Sequence, residues 1–201
     1  MTRILMILGH PLPSGDTQGH ALSRAYAEGA SQGGHQVRTL PIASLNLQLR
    51  QATRDLDPDD PDSQLPEPDP ERLIPVLQPV QNELLWAEHI VLFAPMWMGR
   101  APAIVHEFLA YAGQLVSPAE GEDPQAAAKA KCSVRLILTT GMPATLYRLL
   151  FRAYRPNALA TQVRQLCRNI DRVEETLIGN IALMSDGHWP RRLRRLGRRA
   201  A

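Results

Sequence analysis

Short, continuous apolar runs alternate along the chain with segments whose apolar residues recur every three or four positions. RILMIL (3–8) is apolar after its first residue and stops at Gly9, the pattern of a strand buried on both faces. In QGHALSRAYAEGASQGG (18–34), Leu22, Ala25, Tyr26 and Ala30 mark one face of a helix that Gly33 and Gly34 stop. HQVRTLPI (35–42) reads as a second strand. ERLIPVLQPVQNELLWAE (71–88) reads as an amphipathic helix with prolines in its first turns or bending it. A strand HIVLFA (89–94), a helix APAIVHEFLAYAGQL (101–115) and a strand CSVRLILTT (132–140) follow. A mostly helical stretch then runs to Cys167, and VEETLIGNIAL (173–183) supplies a fifth strand. Strands alternating with helices predict a parallel sheet covered on both sides. The pattern breaks once. Residues 55–71 hold six aspartates, two glutamates and five prolines, which predicts an exposed excursion with no core of its own.

Composition bounds this picture without changing it. A chain of 201 residues, 44% hydrophobic and 21% charged, suits one domain over 1–201. No apolar run approaches the length of a membrane span. MTRILMILGHP is too short an apolar start for a signal peptide, and no small-residue cleavage site follows it. Cys132 and Cys167 form neither a CxxC pair nor a metal-binding spacing, so the expectation is a reduced, cytoplasmic protein without a metal. Charge does change the picture. The net charge is +2, yet RRLRRLGRR (191–199) alone carries six arginines, leaving 2 − 6 = −4 for the rest. The basic tail 190–201 reads as a solvated helix packing through Leu193 and Leu196, with peripheral contact to anionic lipid as its other use. The acidic body makes a poor nucleic-acid platform, so no nucleic-acid partner is expected.

In a parallel sheet of this kind ligands sit beyond the carboxyl ends of the strands, where the strand order switches direction. Three strand ends carry unusual loops: GHPLPSGDTQG (9–19), APMWMGRAP (94–102) and TTGMPATLY (139–147). In the first, Asp16, Thr17, Gln18 and Gly19 open a helix, which makes either an anion site or an ordinary N-cap. Thr17 adds a hydroxyl, Gly19 lets a ligand approach the backbone, and His10 offers an imidazole to a phosphate. Neither GxGxxG nor GxxxxGK[ST] occurs. In the second loop, Trp97 and Met98 lie between Pro95 and Pro102, fit for the face of a planar ligand or for closing the core edge. The third offers Thr139, Thr140 and Tyr147 as uncharged donors around Gly141, or plain turn chemistry.

HIVLFAPMWMGRAPAIVHEFL, LILTTGMPATLY and GHP…DTQGHAL together resemble the flavodoxin-like NAD(P)H:quinone oxidoreductases, of the NAD(P)H dehydrogenase (quinone) and modulator-of-drug-activity type. The resemblance runs in order from about residue 3 to about residue 183. It implies a three-layer fold whose five-stranded parallel sheet has the order 2-1-3-4-5, and a homodimer with sites at the subunit interface. It implies bound FAD or FMN, with NAD(P)H as donor and a quinone-like acceptor. Thr17, Gln18 and Gly19 would then hold flavin phosphate with His10 beside it. Pro95, Met96, Trp97 and Met98 would run along the ring system, with backbone amides near its N1, O2 and N5 edge. Thr139, Thr140 and Gly141 would line the pyrimidine end, and Tyr147 would act as the catalytic donor near the flavin oxygen. The chain departs from the family where Thr17-Gln18-Gly19 stands for a common Ser-Phe-Asn, and where Met142 follows Gly141 in place of a second glycine. Gly99 stands where an aromatic is frequent, so substrate preference is expected at Gly99-Arg100.

Two other classes stay open. One is a non-catalytic flavin- or nucleotide-binding regulatory subunit of a membrane partner, such as a potassium-efflux system, which the arginine tail favours. The other, an acyl- or phosphoryl-transfer enzyme, lacks a GxSxG motif and a metal cluster, and its histidines (10, 20, 35, 89, 106, 188) are scattered. His106 reads as a surface or interface residue and not a catalytic one.

Overall fold

The computed structural model describes residues 1–12, 17–45, 70–116, 131–151, 157–167, 169–181 and 188–200. The strands are β1 (Arg3–Leu8), β2 (Gln36–Pro41), β3 (His89–Pro95), β4 (Lys131–Thr139) and β5 (Asn169–Ile178). The helices are α1 (Gln18–Gln32), α2 (Pro70–Trp86), α3 (Ala103–Val116), α4 (Ala144–Leu150), α5 (Asn157–Arg164) and α6 (His188–Arg198). All strand pairs are parallel, and the sheet order is β2-β1-β3-β4-β5. This is the expected order, with its direction switch between β1 and β3.

Because successive strand residues face opposite sides, the apolar runs feed two cores. Leu5, Ile7, Ile90, Leu92, Val134 and Leu136 meet α2, α3 and α5, whereas Ile4, Met6, Val91, Phe93 and Ile137 meet α1 and α6. The α1–α6 contact is close enough to need glycine. A Cβ on Gly29 would overlap the Arg194 carbonyl, and one on Gly197 would overlap the Tyr26 carbonyl. Leu193 is buried there and Leu196 partly so, as expected of the tail.

Beneath α1 and α6 the core holds a polar chain. Arg135 is paired with Glu174 and donates to the Tyr26 hydroxyl at 3.4 Å and to the Leu196 carbonyl at 3.4 Å. The Tyr26 hydroxyl lies 3.3 Å from His89 Nε2, and His89 Nδ1 lies 2.7 Å from Ser133 Oγ. With its oxygen accepting from Arg135, Tyr26 donates its proton to Nε2. Neutral His89 then donates from Nδ1 to Ser133.

Two expectations need correction. β5 starts four residues before and ends five before the expected 173–183, because it is an edge strand. Exposed Asp171 and Arg172 hid its first half from an apolar-run criterion. Beyond Ile178, a Cβ on Gly179 would overlap the Ala144 amide, and Asn180 takes φ 54°, so the chain leaves the sheet. The cysteines are not a separate reduced pair of thiols: Cys132 and Cys167 form a disulfide with Cα atoms 5.9 Å apart. A separation of 35 residues conceals this proximity, which arises because β4 starts beside the turn that leads into β5. The acidic excursion lies outside the described residues except for Pro70 and Glu71, which open α2. Among the described residues no helix is long and apolar enough to cross a membrane.

Candidate functional site

Strand register brings the loops together. Leu8 pairs with Phe93 and Pro95 with Thr139, so β1, β3 and β4 end along one rim. Three amides tie the loop starts to it: Gly9 N to Phe93 O (2.7 Å), Met96 N to Thr139 O (2.7 Å) and Thr140 N to Ile178 O (2.9 Å). Gly9 has no room for a side chain, since a Cβ would sit 2.8 Å from Val105 Cγ2 and 2.9 Å from the Phe93 carbonyl. A shallow, solvent-open cleft lies on this rim, at the switch point and beside the first turn of α1. It is lined by apolar Leu8, Phe93, Ala94 and Pro95, by His10, Gly19, His20 and Ser23 on the α1 side, and by Thr139 beside Pro95.

On the α1 side of the cleft, Thr17 is the helix N-cap. Its hydroxyl oxygen accepts from the His20 amide at 3.4 Å and lies 2.6 Å from His20 Nδ1. The α1 amides of Gln18 and Gly19, in the first turn, have no intrahelical acceptor. His10 Nδ1 accepts from the Leu12 amide at 3.1 Å, which leaves Nε2 as its N–H donor in the neutral ring. The two imidazoles are 5.3 Å apart. Burial, then the neighbouring His10 and Arg24, hold His20 below the usual imidazole range, so its ring is neutral at physiological pH. Asp16 lies outside the described residues.

The expected site residues fall in different parts of the rim and the core. His10, Gly19, Pro95 and Thr139 line the cleft, with Thr17 and Gln18 at its edge in the same helical turn. Met96 and Thr140 are buried behind it. Trp97 (54% exposed) and Met98 (81%) stand on a tight hairpin tip, closed by Trp97 N to Arg100 O (2.8 Å) and Arg100 N to Trp97 O (2.9 Å). Both central residues have positive φ, 48° at Met98 and 85° at Gly99, so Gly99 is there partly for its backbone. The amides of Met96, Trp97 and Arg100 are therefore engaged internally. Those of Met98 and Gly99 have no partner among the described residues. Gly141 faces open space. Tyr147 is not in the cleft lining: it is buried in the α2–α3 core cluster, against Phe151 (centroids 5.0 Å apart), with its hydroxyl unpartnered among the described residues. His106 bonds Gln162 on α5 (2.7 Å), a role in helix packing.

Two features escaped the sequence reading. His20 and Ser23 reach the cleft because α1 places positions 19, 20 and 23 on one face, a polar periodicity that runs beside the helix's apolar one. The space beside Gly99 is filled: a Cβ there would sit 2.7 Å from the ring of Phe151, which reaches over from the end of α4. Only the tertiary fold shows that substitution.

A doubly wound α/β layer with a cleft at its switch point defines the class of protein. The chain belongs to the family described as having the flavodoxin-like fold, whose profile matches residues 2–171. Among solved structures, it is similar to an NAD(P)H:quinone oxidoreductase from Methanothermobacter marburgensis (TM-score 0.66, 15% identity, covering 98% of this chain and 94% of that one). It is also similar to an azoreductase from Bacillus anthracis (TM-score 0.62, 13% identity, 99% and 100% covered). An FMN-dependent NADH-azoreductase from Bacillus anthracis in complex with FMN is similar as well (TM-score 0.58, 12% identity, 100% and 97% covered). At such identities the likeness is one of fold. No curated protein matches the sequence.

Proposed function

We propose that this chain is a flavin-dependent oxidoreductase, taking reducing equivalents from NAD(P)H and passing them to a quinone or similar small acceptor. The observation that carries the reading is the cleft itself, an apolar lining joined to the anion-accepting first turn of α1 at the switch point. That pairing suits a planar ring linked to a phosphate, as in FMN or FAD. Three local features fit such a group. Gly19 is open: among the described residues, leaving aside its chain neighbours and its own helix backbone, an added Cβ would meet only Thr17 Oγ1, at 3.7 Å. Gly141 borders free space. Tyr147, outside the cleft lining, keeps a buried hydroxyl without a partner among the described residues, which a bound carbonyl would satisfy only by reaching past that lining. The names of the similar solved structures, quinone oxidoreductase and FMN-dependent azoreductase, support the same class.

A bound flavin would supply two-electron transfer between nicotinamide and acceptor. The protein's part is to bind, orient and exclude water. The Gln18 and Gly19 amides, the Thr17 hydroxyl and His10 Nε2 would hold phosphate. Leu8, Phe93, Ala94 and Pro95 would keep the ring dry, and Trp97, Met98, Thr139 and Thr140 would border it. Tyr147 stays protonated, because burial and then nearby Glu175 raise its pKa. It can therefore donate to an oxygen on which negative charge develops.

The reading is tested by adding FMN or FAD to the purified protein and following NADH and NADPH oxidation with a benzoquinone acceptor. A protein that binds neither flavin would overturn it, and flavin binding without turnover would favour the regulatory-subunit reading. Thr17→Ala is expected to weaken FMN binding by roughly tenfold while leaving riboflavin, which lacks the phosphate, unchanged. Equal losses for both ligands would remove Thr17 from the phosphate site. Tyr147→Phe is expected to stabilise the flavin-free protein by about 1 kcal/mol, since it deletes an unsatisfied buried hydroxyl, and to slow flavin reduction. An unchanged reduction rate would remove Tyr147 from the chemistry.

The exposed apolar residues point to a second copy of the chain. Leu146, Leu149 and Leu150 on α4 are exposed, as are Trp97 and Met98, and Phe151 joins α4 to that hairpin tip. A homodimer covering this face would bring its partner to the mouth of each cleft. Light scattering should give the dimer mass, and Leu149→Glu with Leu150→Glu should give the monomer.

A further inference from the structure

The function proposed above leaves unexplained six arginines, five on α6 and Arg199 in the turn just past it. Two of the six serve the fold: Arg194 Nε donates to Glu28 at 2.9 Å and Arg198 Nε to Gln32 at 3.1 Å, both on α1. Arg192 lies over the Trp189 ring, 4.9 Å from its centroid. Arg191, Arg195 and Arg199 are exposed at i, i+4 and i+8, a line of three cations with no carboxylate partner among the described residues. Like charges at this spacing repel and disfavour the helix that carries them. The apolar stripe of α6 is fully used, with Leu193, Leu196, Gly197 and Ala200 packed on the α1 layer. The line of arginines is thus held outward by a rigid contact on a chain whose remainder sums to −4.

We propose that this face of α6 docks on an anionic lipid surface. Arg191 and Arg195, one turn apart on α6, with Arg199 just past its end, form an exposed row about 12 Å long by helical rise, which suits a field of phosphate head groups. Trp189, half-buried beside Arg192 at the start of the same helix, is the side-chain type that settles at a lipid–water boundary. The attachment is electrostatic, since no apolar face of α6 is left to insert. It is independent of the flavin reading.

The test is co-sedimentation of the full chain with phosphatidylcholine vesicles made with and without phosphatidylglycerol. Binding is expected with the anionic vesicles alone and is expected to weaken as salt rises. Each arginine should contribute about fivefold, so Arg191→Gln with Arg195→Gln should weaken binding about 25-fold at an unchanged melting temperature. The same charge loss on the opposite layer, Arg38→Gln with Arg164→Gln, should cost far less. Failure of the unaltered protein to bind anionic vesicles would overturn the proposal. So would equal binding by the two double variants, or tighter retention on duplex DNA than on vesicles at the same salt.

Discussion

Lowering the pH from 6.5 to 4 is expected to remove about 3 kcal/mol from the folding free energy, and His89→Gln is expected to abolish most of that dependence. The cause is the buried histidine at the start of β3. Burial first, and the Arg135 charge next, lower its pKa from 6.5 to about 4. The sign follows from where the proton binds. Below pH 6.5 the unfolded chain takes up a proton at His89 while the folded chain refuses it until about pH 4. The contribution is therefore complete above pH 6.5 and is lost as the pH falls. Hydrogen bonding agrees: Tyr26 needs Nε2 as an acceptor, and a protonated ring would leave two donors facing each other. Glu174 acts in a lower window. The hydrogen bond from Arg135 holds its carboxylate below the ordinary value of 4.5, so its contribution fades only as the pH falls past that value. Urea unfolding at intervals between pH 7 and pH 4 measures the slope. Parallel pH profiles for the unaltered protein and His89→Gln would show that another group carries the acid sensitivity.

Gly29→Ala is expected to destabilise the fold by about 2 kcal/mol, although alanine is the better helix former. In an exposed helix the exchange would gain about 1 kcal/mol. Here the new methyl would overlap the Arg194 carbonyl, a backbone group with no rotamer to escape into. Forcing two packed helices apart costs up to about 3 kcal/mol, so overpacking wins. Gly197→Ala should do the same from the other side, where its methyl would overlap the Tyr26 carbonyl. Since both changes separate the same pair of helices, the double variant should lose less than the sum. Ser31→Ala, exposed on the same helix, is the control and should change little. A Gly29→Ala protein as stable as the parent would mean that α1 and α6 are not in this contact.

The prediction at Gly29 marks where the sequence stops being informative. Its helical face was legible from Leu22, Ala25, Tyr26 and Ala30, but a glycine inside a helix reads as a weak position until its neighbour is known. His89 was likewise legible only as the first residue of an apolar run. Its low pKa depends on burial first and on Arg135 of β4 next, neither of which the residues around position 89 reveal. The candidate site was legible as three loops, because strand ends and turn residues are local signals. Which loop atoms are free was not: the amides of Met96 and Trp97 proved to be engaged by Thr139 and Arg100.

By itself, the sequence determined the alternation of strands and helices, the location of the rim and the basic character of α6. Hydrophobic period, prolines and charge are properties of neighbouring residues, and they act before any tertiary contact forms. Tertiary structure decided the Cys132–Cys167 pair, the polar chain under α1, the two histidines at the cleft and the filling of the space at Gly99 by Phe151. Each of these joins residues far apart in the chain, and packing geometry alone sets their distance.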